Sequence, residues 1–158
     1  IELIARPGDL DRIALIDRVQ SISPKGKTPI TNSIIEAASA IESRRGNPAI
    51  VLVSDGLETC DADPCVLAST YELLNPQLEV HVVGFDVTDE EARSLQCISD
   101  RTGGKFLRAD GANSLKSAIS ETVALARPIS TDSRNAQTFY AKLCDVQEET
   151  GSPFTKDR

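Results

Sequence analysis

Two oxygen-bearing side chains stand at loop positions where they could bind a divalent cation. Thr28 lies in the segment "GKTP", which opens a predicted helix, and Asp55 follows the apolar run Ala49–Val53 in "LVSDG". In a doubly wound sheet the loops at the carboxyl ends of the strands converge on one crevice, so a hydroxyl and a carboxylate from two such loops can share a hard cation. The pair predicts a site for Mg²⁺, with Mn²⁺ or Ca²⁺ as alternatives, because all three ions prefer oxygen ligands.

Both residues also have a plainer interpretation. Thr28 precedes Pro29, and a threonine before a proline at the first helical position is typical of a helix N-cap. Asp55 precedes Gly56, and this dipeptide is typical of a turn that leaves a strand.

The carboxylates of Asp61 and Asp63 could bind a second cation. Asp63 precedes Pro64, however, and is better explained as a helix cap.

Other chemistry-bearing residues favour structural roles. A solvated helix start accounts for the acidic residues Asp86, Asp89, Glu90 and Glu91. His81, the single histidine, lies in the apolar run "VHVV", where a structural histidine is expected. "GKT" is similar to the end of a phosphate-binding loop, but Ser21 stands where that pattern requires a glycine, so we reject a nucleotide site. Without a Ser-His or Cys-His arrangement we expect no enzyme activity, and a metal-assisted hydrolase is the weaker alternative.

Four cysteines allow three pairings if all are bridged, and the sequence does not choose among them: Cys60, Cys65, Cys97 and Cys144. Cys60 and Cys65 share the short loop "ETCDADPC", which favours a loop disulfide formed in an oxidising compartment. Unpaired thiols are the alternative. Structural zinc is rejected because C-x-x-C pairs and nearby histidines are missing from the sequence.

Composition and charge narrow the class of protein. The 158 residues are 40% hydrophobic and 26% charged, which fits one globular domain. Seventeen basic against 24 acidic residues give a net charge of -7, which argues against nucleic acid as a partner. The longest apolar run, Ala49–Val53, is far shorter than the roughly 18 residues of a membrane span, so we expect no direct membrane insertion by this segment.

Apolar periodicity alternates between short strand-like runs and amphipathic helical stretches, which predicts an α/β sheet with crossover helices. The predicted strands are Ile1–Ala5, "AIVLVS", "LEVHVVGF" and "KFLRA". Five helices are predicted between and after them: one with the stripe Leu10, Ile13, Ile16, Val19 and Ile22 that ends before Pro24, one from Thr28 to about Gly46, one from Asp63-Pro64 to Leu74, one opened by a Thr88/Glu91 capping box and ended by Gly103-Gly104, and one over 112–126 before Pro128.

"GKTPI", "VLVSDGLETC", "VHVVGF" and "TGGKF" together resemble the second half of a von Willebrand factor A (VWA) domain of bacterial type. The resemblance implies a doubly wound, mostly parallel, Rossmann-like sheet flanked by helices. Residues 1–127 would be the C-terminal two-thirds of that domain, and 128–158 a polar extension or linker. The family's metal-ion-dependent adhesion site combines a D-x-S-x-S segment with a threonine and an aspartate, to which Thr28 and Asp55 correspond.

This sequence contains no D-x-S-x-S segment and lacks the family's first strand, which lies beside the strand that carries Asp55. We expect upstream residues to supply that strand. The resemblance implies an extracytoplasmic, adhesion-type protein-binding module that coordinates a divalent cation and an Asp or Glu of a protein ligand. The alternative is a metal-free VWA scaffold domain in a cell-envelope assembly.

Overall fold

The computed structural model describes residues 1–5, 11–23, 26–41 and 48–125. From the second helix onward, helices and strands alternate as the periodicity predicts. The elements within the described ranges are α1 (Arg12–Gln20), α2 (Ile30–Ile41), β1 (Ala49–Ser54), α3 (Pro64–Leu74), β2 (Glu79–Phe85), α4 (Asp89–Thr102), β3 (Phe106–Ala109) and α5 (Ala112–Leu125).

The three strands form one parallel sheet in the order β1-β2-β3. Helices α3 and α4 connect successive strands, because parallel neighbours need a crossover between them. β2 is the central strand and is almost wholly buried, whereas β1 has a single neighbour among the described strands. Val53, near the end of β1, is 44% exposed. The predicted α/β class, a parallel sheet flanked by helices, is confirmed.

The sheet is covered on both faces. Helices α2, α3 and α4 share the larger core with alternate residues of β1 and β2, which include Ile50, Val80 and Val82. The smaller core lies on the other face, where Ala118 of α5 packs with Val83 and partly buried neighbours. Because successive strand residues point to opposite faces, a mainly apolar strand such as "EVHVVGF" supplies both cores at once.

Local signals at the ends of α3 and α4 are confirmed. Asp63 caps α3 by accepting a hydrogen bond from the backbone N–H of Cys65 at 2.8 Å. Thr88 and Glu91 form the predicted capping box at the start of α4. Gly103 ends α4 in the left-handed conformation with φ 72°, which a residue with a Cβ adopts only at a cost. These caps fix where α3 and α4 meet the sheet.

Gly104 lies where the chain turns from α4 into β3, against the backbone of β2. A Cβ at this position would stand 2.1 Å from the carbonyl oxygen of Val80, far inside van der Waals contact. Beside it, the hydroxyl of Thr102 accepts a hydrogen bond from the N–H of Val80 at 3.0 Å. The second glycine of the predicted terminator therefore allows close backbone packing, and its N–H also donates to the carbonyl oxygen of Ser99 at 2.9 Å at the end of α4.

The N-terminal part of the prediction needs correction. Ile1–Ala5 forms no strand, and Ile1 is 67% exposed. Helix α1 is present, but it buries no residue and Ile13 on its apolar stripe is 74% exposed. An extended run becomes a strand, and an amphipathic stripe becomes core, only when a partner surface accepts it, and no other described element packs against α1. An ion pair between Arg18 and Glu2 joins α1 to the first residues.

Some predicted features fall outside the described residues. They are the ends of two helices at Pro24 and Gly46, the start of the first stripe at Leu10, the last residue of the final helix at Ala126, and the polar extension with Cys144. The division of the chain at residue 127 therefore stays a prediction.

Candidate functional site

The loops that carry Thr28 and Asp55 are joined by reciprocal hydrogen bonds. The N–H of Thr28 donates to the hydroxyl oxygen of Thr59 at 2.6 Å, and the N–H of Thr59 donates to the carbonyl oxygen of Thr28 at 3.1 Å. Thr59 lies in the loop that follows Asp55 and β1. The two loops therefore meet beyond the carboxyl end of β1.

Asp55 directly follows the last residue of β1 and is exposed. The turn around it is set by the buried Ser54, whose hydroxyl donates to the carbonyl oxygen of Gly56 at 2.8 Å. Within the described ranges the Asp55 carboxylate makes no hydrogen bond or ion pair. Its oxygens are consequently available to a ligand.

Thr28 does not cap α2, which corrects the plainer interpretation. The helix begins at Ile30, and the carbonyl oxygen of Pro29 accepts the first helical hydrogen bond from the N–H of Ser33 at 2.9 Å. The side-chain cap comes from Glu58, whose Oε2 accepts from the N–H of Thr31 at 2.8 Å. The half-buried Thr28 side chain makes no hydrogen bond to any other described residue, so its hydroxyl also remains available.

Glu58 is the residue of this region that the sequence did not single out. Its other oxygen, Oε1, accepts from the N–H of Cys60 at 2.8 Å, so one carboxylate holds both its own loop and the start of α2. Partial burial opposes ionisation of Glu58, but the backbone hydrogen bonds from Thr31 and Cys60 outweigh it and hold the pKa of the carboxyl below its ordinary value. The negative charge of Glu58 also stabilises α2, because the N-terminal end of the helix dipole is positive. Local sequence spacing does not predict this contact, because Glu58 and Thr31 are 27 residues apart.

The oxygens present fit part of a cation site. Mg²⁺ takes six oxygen ligands, keeps several waters and commonly uses one or two protein carboxylates. Thr28 and Asp55 supply one hydroxyl and one carboxylate of this chemistry. Nowhere in residues 1–5, 11–23, 26–41 or 48–125 do three or more His, Cys, Asp or Glu side chains form a group that could hold a metal ion. Asp61 and Asp63, which were considered for a second cation, do not form such a group either. Asp63 caps α3, and Asp61 is exposed on a left-handed turn with φ 57°.

A disulfide joins Cys65 to Cys97, with 5.6 Å between the Cα atoms. Cys65 lies in the first turn of α3 and Cys97 in the middle of α4, and these two helices pack side by side. The predicted loop disulfide between Cys60 and Cys65 is therefore wrong, since Cys65 is committed to α4. Among the described cysteines Cys60 is unpaired, and its pKa is raised, mainly by partial burial and then by the negative charge of Glu58.

His81 has the structural role that its apolar surroundings predict. It is 2% exposed, and its Nδ1 accepts a hydrogen bond from the N–H of Lys105 at 3.0 Å, which ties β2 to the residue before β3. Nε2 lies 3.8 Å from a carboxylate oxygen of Glu79. Burial lowers the pKa of His81, and the charge of Glu79 opposes this shift only in part. A neutral imidazole that accepts at Nδ1 carries its proton on Nε2.

A shallow depression between α4 and β3 is distinct from the Thr28–Asp55 region, because β3 is two strands away from β1. Arg108 crosses its wall, where it pairs with Asp89 and donates to the carbonyl oxygen of Val87 at 2.6 Å. Phe106 and Ala92 supply apolar walls. These contacts use the charged groups of Arg108 and Asp89, so no chemistry is assigned to the depression.

Comparisons with known proteins identify relatives without an assigned role. The chain is 31% identical over 98 residues to the uncharacterized protein YwmC of Bacillus subtilis (strain 168), a match that covers 61% of this chain and 42% of YwmC. It is 24% identical over 102 residues to the uncharacterized protein YwmD of the same organism, which covers 63% of this chain and 46% of YwmD. The chain thus spans less than half the length of these relatives. No family model matches.

One solved structure has a similar fold. It is the conserved hypothetical protein BatB from Bacteroides thetaiotaomicron, with a TM-score of 0.57, 22% sequence identity, and coverage of 73% of this chain and 69% of that one. At this identity the likeness concerns the fold alone. None of the helices in the described ranges is long and apolar enough to cross a membrane.

Proposed function

We propose that this chain is part of a VWA-type domain in which Thr28 and Asp55 contribute to a divalent-cation site that binds an acidic residue of a partner protein. The observation that carries the proposal is the pair of reciprocal hydrogen bonds between Thr28 and Thr59, which holds the threonine loop against the loop that follows Asp55. Neither side chain hydrogen-bonds to another residue in the described ranges, and this availability supports the same interpretation.

Mg²⁺ or Mn²⁺ bound there would supply a Lewis-acidic coordination position for a carboxylate oxygen. Asp55 would contribute charge and Thr28 a neutral oxygen. The remaining positions belong to water, to the partner's Asp or Glu, and to further protein oxygens, which the VWA resemblance assigns to a D-x-S-x-S segment. The role is recognition without turnover, because among the residues described here the ring nitrogens of His81, the single histidine, hydrogen-bond to no serine or cysteine.

The proposed setting is extracytoplasmic. The disulfide between Cys65 and Cys97 supports it, because such bonds persist mainly in oxidising compartments. The net charge of -7 makes a nucleic-acid partner unfavourable, and a cation that bridges two acidic surfaces offsets their mutual repulsion. A protein ligand that presents Asp or Glu is therefore the proposed partner.

The direct test is the binding of Mn²⁺ by the full 158-residue chain, followed by paramagnetic broadening of assigned amide signals. We expect selective broadening near Thr28 and Asp55, its reversal by excess Mg²⁺, and its loss in Asp55→Asn and Thr28→Val. Asp61→Asn is the matched control, because Asp61 carries the same charge, is exposed and follows the same strand. It should bind Mn²⁺ as the wild-type chain does.

Two results would count against the proposal. Broadening spread over all exposed carboxylates, or equal loss in Asp61→Asn and Asp55→Asn, would indicate nonspecific attraction of a cation to an acidic protein. Absence of broadening at Thr28 would favour the metal-free scaffold, in which both residues serve folding alone. Addition of a short Glu-containing peptide to the Mn²⁺-loaded chain then tests recognition, since EDTA should release the peptide.

A further inference from the structure

We infer that Glu58 and Thr59 are positioning residues that hold the Thr28 loop and the Asp55 loop in one fixed arrangement, and that cation affinity depends on them. The inference rests on the proposed function and adds to it two residues that bind no cation themselves. Both lie in the loop after β1, and both reach the segment that precedes or opens α2.

Three hydrogen bonds join the two loops, and a fourth, between Glu58 and Cys60, lies within the loop after β1. Thr59 contributes two of them, one through its hydroxyl and one through its N–H, and both go to the backbone of Thr28. Glu58 contributes the other two, because its carboxylate accepts from the N–H of Thr31 and from the N–H of Cys60, each at 2.8 Å. Since Thr28 and Thr31 flank the start of α2, the loop after Asp55 is hydrogen-bonded to this helix start at two points.

A carboxylate suits this position better than a neutral group. Each oxygen of Glu58 faces a backbone donor, so an amide, with one acceptor oxygen, can satisfy only one of the two N–H groups. The lowered pKa of Glu58, caused by these N–H groups in spite of partial burial, shows that the arrangement favours the ionised form. With alanine at this position, the N–H of Thr31 would lose the side-chain acceptor that Glu58 supplies at the helix start.

These hydrogen bonds matter because the two proposed ligands come from separate loops. A cation site needs its oxygens at fixed separations, and residues that orient the ligands commonly matter for affinity almost as much as the ligands do. Thr28 has no side-chain hydrogen bond to a described residue, so its position depends on its backbone contacts with Thr59. Removal of this connection should leave both oxygens present but no longer held together.

The experiment measures the dissociation constant for Mn²⁺ in the full chain by the broadening described above, with amide hydrogen exchange at Thr28 and Thr31 as a second readout. We expect Glu58→Ala and Thr59→Val to raise the dissociation constant by roughly 10- to 100-fold and to speed exchange at these amides. Glu58→Gln should fall between Glu58→Ala and the wild-type chain. Thr59→Ser keeps the hydroxyl and should bind Mn²⁺ with the affinity of the wild-type chain, unlike Thr59→Val.

Glu91→Ala is the matched control for stability. Glu91 accepts a hydrogen bond from the N–H of Thr88 at the start of α4, so its loss also removes a helix cap but leaves the Thr28 and Asp55 loops untouched. Unchanged Mn²⁺ affinity in Glu91→Ala, with weakened binding in Thr59→Val and recovery in Thr59→Ser, supports the inference.

Wild-type affinity in Thr59→Val and Glu58→Gln overturns the inference while the proposed function stands. An equal loss in Glu91→Ala also overturns it, because general destabilisation then explains the effect. A wild-type chain that binds no Mn²⁺ at Thr28 overturns the proposed function and the inference with it, and that result is seen before any variant is compared.

Discussion

Removal of the disulfide between α3 and α4 should cost this chain a large part of its stability. The bridged cysteines are 32 residues apart in sequence, and closing a loop of this size in the unfolded chain corresponds to about 4 kcal/mol in the chain-entropy treatment. Single domains are stable by about 5–15 kcal/mol, so a loss of this size lowers the free energy of unfolding severely. We expect Cys65→Ser/Cys97→Ser to remain folded, since α3 and α4 keep their apolar contacts through Leu67 and Leu95.

The measurement is urea unfolding at neutral pH of the wild-type chain and of this double variant. Besides a lower midpoint we expect a steeper dependence of the free energy on urea, because an unfolded chain without the bridge exposes more surface. Cys60→Ser is the control, since Cys60 is free and partly exposed, and it should unfold close to the wild type. A non-reducing peptide map checks that Cys65 is joined to Cys97.

Two results would refute this reasoning. A double variant whose stability lies within about 1 kcal/mol of the wild type, with the same urea dependence, would mean that the bridge does not restrict the unfolded chain. Alternatively, a large loss in Cys60→Ser would mean that Cys60 takes part in a disulfide in solution, which contradicts its assignment as a free thiol.

Three further predictions concern single residues. Gly104→Ala should destabilise the domain by about 2 kcal/mol or more in urea unfolding, because its Cβ collides with the backbone at Val80, whereas Gly111→Ala, with open space around it, should change stability by less than about 0.5 kcal/mol. Burial lowers the pKa of His81 in the folded chain, so the unfolded chain binds the proton first as the pH falls. The free energy of unfolding should therefore decrease from pH 7 to pH 5, by at most about 1.4 kcal/mol per pH unit. Because His81 is the single histidine, the unfolding midpoint of His81→Gln should be nearly constant over this range. The raised pKa of Cys60 leaves little thiolate at pH 7.5, so iodoacetamide should alkylate it more slowly than a cysteine in an unstructured peptide, as followed by peptide mapping, and an equal rate would contradict the assigned surroundings.

The sequence predicted the elements from α2 onward because their signals are local. A cap, a proline or a glycine lies within a few residues of each helix end that was placed correctly, as at Asp63 and Gly103. Strand β2 was equally clear, since the mainly apolar segment "LEVHVVGF" suits a strand buried on both faces. The class of the fold followed from the alternation of these elements.

What failed depends on partners that a local pattern does not contain. The segment Ile1–Ala5 and the stripe of α1 have the right periodicity, but the described residues offer them no surface to pack against. The loop disulfide failed because closeness in sequence between Cys60 and Cys65 says nothing of which helix the first turn of α3 faces. Glu58 escaped notice because its contact with Thr31 spans 27 residues.

This long-range cap bears on the order in which the domain folds. Helix α2 is 12 residues long, about the length at which an isolated helix is marginal in water. Its first turn receives the Glu58 carboxylate only after β1 and the loop beyond it have reached their places. We therefore expect α2 to consolidate late, together with β1 and not ahead of it, so that substitutions at Glu58 should change the rate of unfolding more than the rate of folding.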